Sequence, residues 1–424
     1  MSHLGLICPE LSGHLNPMTT LGRELKRRGH RVTVIARADA RAKSEAAGLG
    51  FAVIAEEEFP PGSMRAESAK LGALGGLGAI RFTAEMLRKS AAAILRDVAE
   101  VIAREKITAL VVDQVSPAGN TVAERLGLPW VNVCDALAMN SEPAIPPGVL
   151  PWRYNPGWLG QLRNRVGNAL LDWLARPLIS EIDRHRAAHG LPPVVGGLSG
   201  GSPLAQIAQQ PAFFDFPRRD LPAHFHYTGP WHDAGSGETV EFPWEKLDGR
   251  PLIYASMGTL QNRQTFLFAT IAEACAGLEA QLVISLGSRD QDASALAARI
   301  AGKPVVVPFA PQLALLKRAA LSITHAGLNT ALESLSHGLP MVAIPITNDQ
   351  PGVASRLEWL GVAEVVQPKK LTAPRLRAAL EKVMGDPAYR ARARELSEKI
   401  RALDGLKRAA DLVEQAFHGR ADSA

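Results

Sequence analysis

The strongest constraint on this chain is an alternation that runs through it twice. Short apolar runs, "LGLICP", "RVTVIAR", "ITALVVDQ" and "LPWVNVCD", alternate in the first third with stretches of helical periodicity such as "NPMTTLGRELKRRGH" and "GNTVAERLG". Parallel strands need a crossover connection, and a helix is the usual one, so this pattern predicts βαβ units. The second half restarts it with "PLIYASMG", "AQLVISLG", "PVVVPF", "LSITH" and "PMVAIP". A chain of 424 residues exceeds what one core ordinarily encloses. The expectation is an α/β protein of two Rossmann-like domains facing across a cleft. The boundaries are set at 1–232 for the first domain, 233–250 for a linker rich in Pro, Gly and charge, and 251–405 for the second domain. Residues 406–424 form a final helical segment expected to fold back on the first domain.

Composition removes several classes of function. Hydrophobic residues make up 46% and charged residues 21%, as in a soluble globular protein. The net charge of +5, from 47 basic and 42 acidic residues, comes without a long Lys/Arg run, so nucleic acid is not an expected partner. Cys8, Cys134 and Cys275 are dispersed with no CxxC pair, which argues against a disulfide framework or zinc site and fits a reducing cytoplasm. The chain enters a strand-like run, "HLGLICP", almost at once, with no signal peptide visible. No apolar run approaches the roughly 18 residues of a membrane span. Any membrane contact is therefore expected to be peripheral, at the inner face.

Two stretches carry candidate chemistry. Open α/β sheets bind ligands at the carboxyl ends of their strands. "GHLNP" puts Gly13 and His14 just after the first strand, with Asn16 and Pro17 expected to open the first helix. A histidine there can accept a proton near neutral pH, although a lone loop histidine is more often without such a role. Asp113 ends the apolar strand "ALVVD" and could orient the imidazole and stabilise its charged form, or merely cap the next helix. The second stretch, "THAGLNTALESLSHGLP" (324–340), follows the buried-looking "AALSI" and crowds His325, Asn329, Thr330 and Glu333 into a strand-to-helix turn at Gly327. Unpaired N–H groups and the helix dipole favour an anion at such a place. The bland alternative is that Asn329 or Thr330 is an N-cap and Glu333 a surface residue.

Other motifs weigh less. Asp290 and Asp292 in "RDQDAS" match an Asp-x-Asp metal pattern, but a solvated turn is favoured. His185 and His189 lie four apart on a helix without a clear third ligand, so no metal site is expected. "KLGALGGLGAIRF" reads as a loosely helical lobe. Trp152, Trp158 and Trp173 are interleaved with Arg153, Arg163, Arg165 and Arg176. They belong either to a core helix with snorkelling arginines or to an apolar, Arg-rimmed surface that meets a membrane or a lipid-like alcohol.

The stretch 309–350, "FAPQLALLKRAALSITHAGLNTALESLSHGLPMVAIPITNDQ", resembles the donor-binding box of family 1 UDP-glycosyltransferases. Pro311-Gln312, His325, Gly327, Asn329, Thr330, Glu333 and Asp349-Gln350 occur in order, and the resemblance in layout covers nearly the whole chain. "NDQPGVA" after the box is similar to bacterial carotenoid-type members. The resemblance implies a GT-B fold, with His14 as catalytic base and Asp113 as its partner. It assigns the diphosphate to His325, Asn329 and Thr330, the ribose to Glu333, the uracil edge to Gln312, and sugar hydroxyls to Asp349 and Gln350. Ser256, Gly258 and Thr259 of "SMGT" fall near the phosphates, and Phe309, Ala310, Gly327 and Leu328 complete the expected donor set. Phe309 stands where plant members have Trp, Ala326 and Leu328 where they have Cys and Trp, and the box is two residues shorter before His325. The implied reaction is inverting transfer of a hexose, with Gln350 hinting at glucose, from a UDP-sugar co-substrate to a hydrophobic hydroxylated acceptor such as a carotenoid, terpenoid or phenol. No metal or cofactor is expected. A sugar-nucleotide epimerase or hydrolase on the same fold, and a non-catalytic binding protein, are the alternatives.

Overall fold

The computed structural model describes residues 1–74, 76–232, 240–259, 265–288 and 291–418. Two wholly parallel sheets organise the chain. The first takes the order β3-β2-β1-β4-β5-β6-β7, from β1 (His3–Ile7), β2 (Arg31–Ala36), β3 (Gly50–Val53), β4 (Ala109–Asp113), β5 (Trp130–Cys134), β6 (Gln206–Ala208) and β7 (Phe225–Tyr227). The second takes the order β10-β9-β8-β11-β12-β13, from β8 (Leu252–Ser256), β9 (Gln281–Ser285), β10 (Val305–Val307), β11 (Ala319–Thr324), β12 (Met341–Ala343) and β13 (Ala363–Val365). Strands such as β1, β4 and β8 are buried at every position. That is why they read as continuous apolar runs: helices cover both faces of a parallel sheet.

Both sheets reverse their strand order at one place, between β1 and β4 in the first and between β8 and β11 in the second. Connections leave such a pair of strands in opposite directions, which opens a crevice at their carboxyl ends. Asp113 pairs with Val133 across β4 and β5, so these two strands end close together.

The first helix spans Ser12–Arg27, starting before the expected Asn16, and so includes His14 in its first turn. Pro17 sits one turn inside this helix, where it has no N–H to give the Gly13 carbonyl. The weakly patterned strands β3, β6, β7 and β13 escape a reading by periodicity, since each has only three or four residues. β7 ends shortly before the linker expected at 233–250. Of the linker expected at 233–250, residues 233–239 lie outside the described residues, and a short turn at Trp244–Lys246 follows them. The Gly-rich segment is mostly helical, within Ser63–Ala73 and Gly76–Glu105, with Gly75 outside the described residues.

The closing helix Gly405–His418 packs on the first helix, burying Ala409, Ala410 and Val413 with Leu15, Met18 and Leu21. Arg28 anchors it through Asp411 and Glu414, both at 2.7 Å. The two halves also meet directly. Arg356 of the helix Gln350–Trp359 binds Asp215 at 2.6 Å, Arg218 holds the other Asp215 oxygen at 2.7 Å, and the Gly352 N–H donates to the Gly148 carbonyl at 2.8 Å. Burial disfavours the Asp215 charge, but the two guanidinium groups overcome it and hold the carboxyl far below the usual range. Among the described residues, no helix is long and apolar enough to cross a membrane.

Candidate active site

The crevice of the first sheet holds a histidine–carboxylate pair. His14 Nδ1 lies 2.7 Å from Asp113 Oδ2, and the other Asp113 oxygen accepts the Val115 N–H at 2.8 Å. Asp113 is wholly buried, whereas the His14 side chain keeps 16% of its surface open. This contact fixes the imidazole: Nδ1 carries the proton toward the carboxylate and Nε2 is left as the acceptor. Burial opposes a charge on His14, but Asp113, its hydrogen bond and the more distant Asp349 outweigh burial and raise the pKa above 6.5. Asp113 responds inversely: burial would raise its pKa, and His14, Asp135 and the Val115 N–H pull it below the usual value.

Asp135 was not among the expected residues. Its carboxyl lies within 4.8 Å of the ligand atoms of both His14 and Asp113, and the residue is only 2% exposed. Burial, followed by repulsion from Asp113, pushes its pKa well up, which favours its neutral form. The signal was present in the sequence: "LPWVNVCD" ends in aspartate just as "ITALVVD" does, on neighbouring parallel strands.

The crevice of the second sheet is built differently. His325 sits between two glycines, with Gly258 on one side and Gly327 on the other. A Cβ added at Gly258 would come within 2.6 Å of His325 Nε2, and one at Gly327 within 2.5 Å. Gly258 also has φ +72°, and Ala326 beside the histidine has φ +62°, a conformation that side chains seldom adopt. Burial drives the His325 pKa down to about 4, so this imidazole is neutral near pH 7. The helix Leu328–Ser336 starts immediately afterwards with Gly327 at its N-cap and no side-chain cap, which answers the N-cap alternative for Asn329 and Thr330.

Several expected donor residues have well-defined neighbours. Gln312 donates its amide to Glu333 and accepts from the Tyr254 hydroxyl at 3.0 Å, while its Nε2 lies 3.4 Å from Thr330 Oγ1. Burial pushes Glu333 up to about 7, with a smaller opposing pull from Gln312. Leu328 is in the core with Leu137 and Val353, so it can offer a ligand only its main chain. Ser256 is buried at the end of β8, Thr259 is exposed, and Phe309 and Ala310 are half-buried after β10. Gln350 accepts the Ile346 and Thr347 N–H groups at 2.8 and 3.0 Å, which shapes the turn before it. Asp349 accepts the Leu137 N–H at 3.2 Å, and burial raises its pKa.

One contact ties the two crevices together. Asn329 Nδ2 donates to the Gly13 carbonyl at 2.9 Å, and Gln209 donates to Asn329 Oδ1 at 2.8 Å and to the Asp135 carbonyl at 2.6 Å. The Gly13 carbonyl is available because the residue four positions on is Pro17, which has no N–H to give it. The side chain of Asn329 is thus engaged across the cleft, and its main-chain N–H stands in the first helical turn. Neither Gln209 nor Tyr254 was marked by the sequence, because their roles depend on contacts between distant segments.

The remaining candidates resolve as surface features. Asp292 caps the helix Ala293–Ala297 by accepting the Ser294 and Ala295 N–H groups, both at 2.9 Å, and Asp290 lies outside the described residues. His185 and His189 stack at 4.3 Å, and the Arg125 guanidinium approaches them at 3.1 and 3.3 Å, a poor environment for a cation. The cysteines are free and buried.

The profile of the "UDP-glucoronosyl and UDP-glucosyl transferase" family matches residues 4–417. The chain belongs to this family. It is 32% identical over 417 residues to a zeaxanthin glucosyltransferase of Pantoea ananas, covering 98% of this chain and 96% of that one. A zeaxanthin glucosyltransferase of Pseudescherichia vulneris is also 32% identical, covering 99% of both chains. Among solved structures, the glycotransferase of kitacinnamycin superposes with a TM-score of 0.77 over 98% of this chain and 99% of that one, at 24% identity. The fold is GT-B, and the protein is a UDP-dependent glycosyltransferase.

Proposed function

We propose that this glycosyltransferase moves glucose from UDP-glucose to a hydroxyl of an apolar alcohol, of the zeaxanthin type named for its relatives, with inversion at the anomeric carbon. The observation that carries the reading is the 2.7 Å His14–Asp113 pair, linked through Gly13 to the first turn of the helix Leu328–Ser336. His14 Nε2 takes the acceptor proton while the acceptor oxygen bonds to the anomeric carbon. The bond from that carbon to the diphosphate breaks on the opposite face, and UDP leaves with the electron pair. Asp113 stabilises the imidazolium so formed.

The leaving diphosphate gains charge as it departs. The N-terminal N–H groups of the helix Leu328–Ser336 and a neutral His325 acting as donor stabilise it there, which needs no metal. Glu333 accepts from the ribose hydroxyls, with Gln312 alongside. Asp349 and Gln350 lie on the sugar side, and Ser256, Gly258 and Thr259 on the phosphate side. Incubation with UDP-glucose and a panel of alcohols tests the reading. A glycoside, formed also after exhaustive chelation, is expected; UDP release with only free or epimerised sugar would overturn it.

A further inference from the structure

The long helix Trp158–Ala188 is amphipathic in the wrong sense for a soluble protein over its first half. Its inner face is small or polar: Gly160, Asn164 and Gly167 are buried. Its outer face carries Trp158 (73% exposed), Leu159, Leu162, Val166, Leu170 and Trp173 (54%). These are six of the twelve large hydrophobic side chains exposed among the described residues. From Leu159 onward their spacing of three or four puts them on one stripe, with Trp158 adjoining its first residue. Of the three tryptophans only Trp152, ahead of the helix, turns inward: it packs on Gly167 beneath the Arg163 guanidinium at 4.8 Å.

The stripe projects beyond the fold's core. Thirty-one helical residues span about 46 Å, whereas five-residue strands such as β5 span only about 17 Å. Leu178 and Ile182 in the second half of the helix anchor it in the sheet's core. The first half rests on the loop from β5, where Asn164 donates to the Pro143 carbonyl at 3.0 Å. That loop reaches the second domain through Gly148–Gly352 and Arg153–Glu358.

Charge decides what covers it. Arg165 and Arg176 are exposed on the same helix, and Arg81 lies across a groove of about 360 Å³ that Trp173, Arg176 and Glu85 also line. None of these three arginines has an ion-pair partner among the described residues, and Asp172 is the one exposed acid on the projecting half of the helix. Unpaired guanidinium groups beside an apolar stripe match phosphates above acyl chains. A second copy of the chain would instead bring these like charges together.

We propose that the outer face of Trp158–Trp173 docks on an anionic lipid bilayer. It lies in the plane of the headgroups, with Arg81, Arg165 and Arg176 on lipid phosphates. The test is flotation of the full chain with phosphatidylcholine vesicles, with and without phosphatidylglycerol, alongside sedimentation velocity. Binding to the anionic vesicles is expected. Leu162→Glu with Val166→Glu should lower the partition by more than about tenfold, and Arg165→Gln by about fivefold. No flotation, flotation indifferent to phosphatidylglycerol and to these substitutions, or a stable dimer that Leu162→Glu dissociates would overturn the proposal. Vesicle binding needs neither sugar donor nor alcohol, so its failure and a failure of the transferase reading are separately visible.

Discussion

The two crevices of this molecule arise from the same topology and carry opposite electrostatics. Each lies where a parallel sheet reverses its strand order, and each presents a histidine. In the first, Asp113 pairs with His14 and, with the more distant Asp349, raises its pKa above 6.5 against the effect of burial. In the second, no carboxylate among the described residues touches His325; glycines hem it in, and burial lowers its pKa to about 4. The first environment can take up and release a proton near neutral pH. The second presents a neutral ring and a helix N-terminus, whose polarity does not change with pH. The difference teaches that fold supplies the place and neighbouring charge supplies the task.

The comparison breaks most visibly at His14. His14→Ala should lower transfer by about 10²–10⁴-fold, while UDP affinity, measured by calorimetry, stays near that of the parent. Breaking the contact between the halves is next. Asp215→Ala leaves Arg218 and Arg356 as uncompensated buried charges and should cost about 3–5 kcal/mol in denaturant unfolding. A loss below about 1 kcal/mol would show that the pair is not what joins the halves.

Glu333→Ala should weaken UDP binding by about 1–3 kcal/mol. Because burial holds the unliganded Glu333 near 7, and ribose hydroxyls need an ionised acceptor, UDP affinity should fall as pH drops below about 7. That dependence should vanish in the variant, and His325, already neutral, adds none.

The pH profile sharpens the contrast further. A general base must be unprotonated, so kcat/KM should fall on the acid side with an inflection above 6.5, reflecting the raised His14 pKa. Asp113→Asn removes the charge that raises it and should move the inflection downward as well as lowering turnover. Asp135→Asn should have the smallest effect, since burial and Asp113 both disfavour a charge on this carboxyl; a loss comparable to that of Asp113→Asn would show that Asp135 is ionised.

The parallel α/β architecture was legible because buried strands such as "ALVVD" and "LIYAS" are uninterrupted apolar runs. The sequence put His14 and Asp113 after strands of one expected sheet without showing that they touch; the pairing of β1 with β4 is what brings them together. What stayed hidden depends on tertiary contact. The start of the first helix at Ser12 was masked by Pro17, which reads as a helix opener but sits one turn inside. Asn329 in isolation reads as an N-cap as readily as an anion ligand, the resemblance alone assigns it to the diphosphate, and only the folded chain gives its side chain to Gly13 and Gln209. The Asp215 cluster joins residues 141 positions apart, beyond any local pattern.

The central claim is that His14 delivers an acceptor oxygen to the face of the sugar opposite UDP. Proton NMR of the glycoside made from UDP-α-glucose and a hydroxylated acceptor tests this directly. The account predicts a β-linked product from the parent chain and almost none from His14→Ala. An α-linked product, or undiminished β-glycoside from His14→Ala, would contradict it.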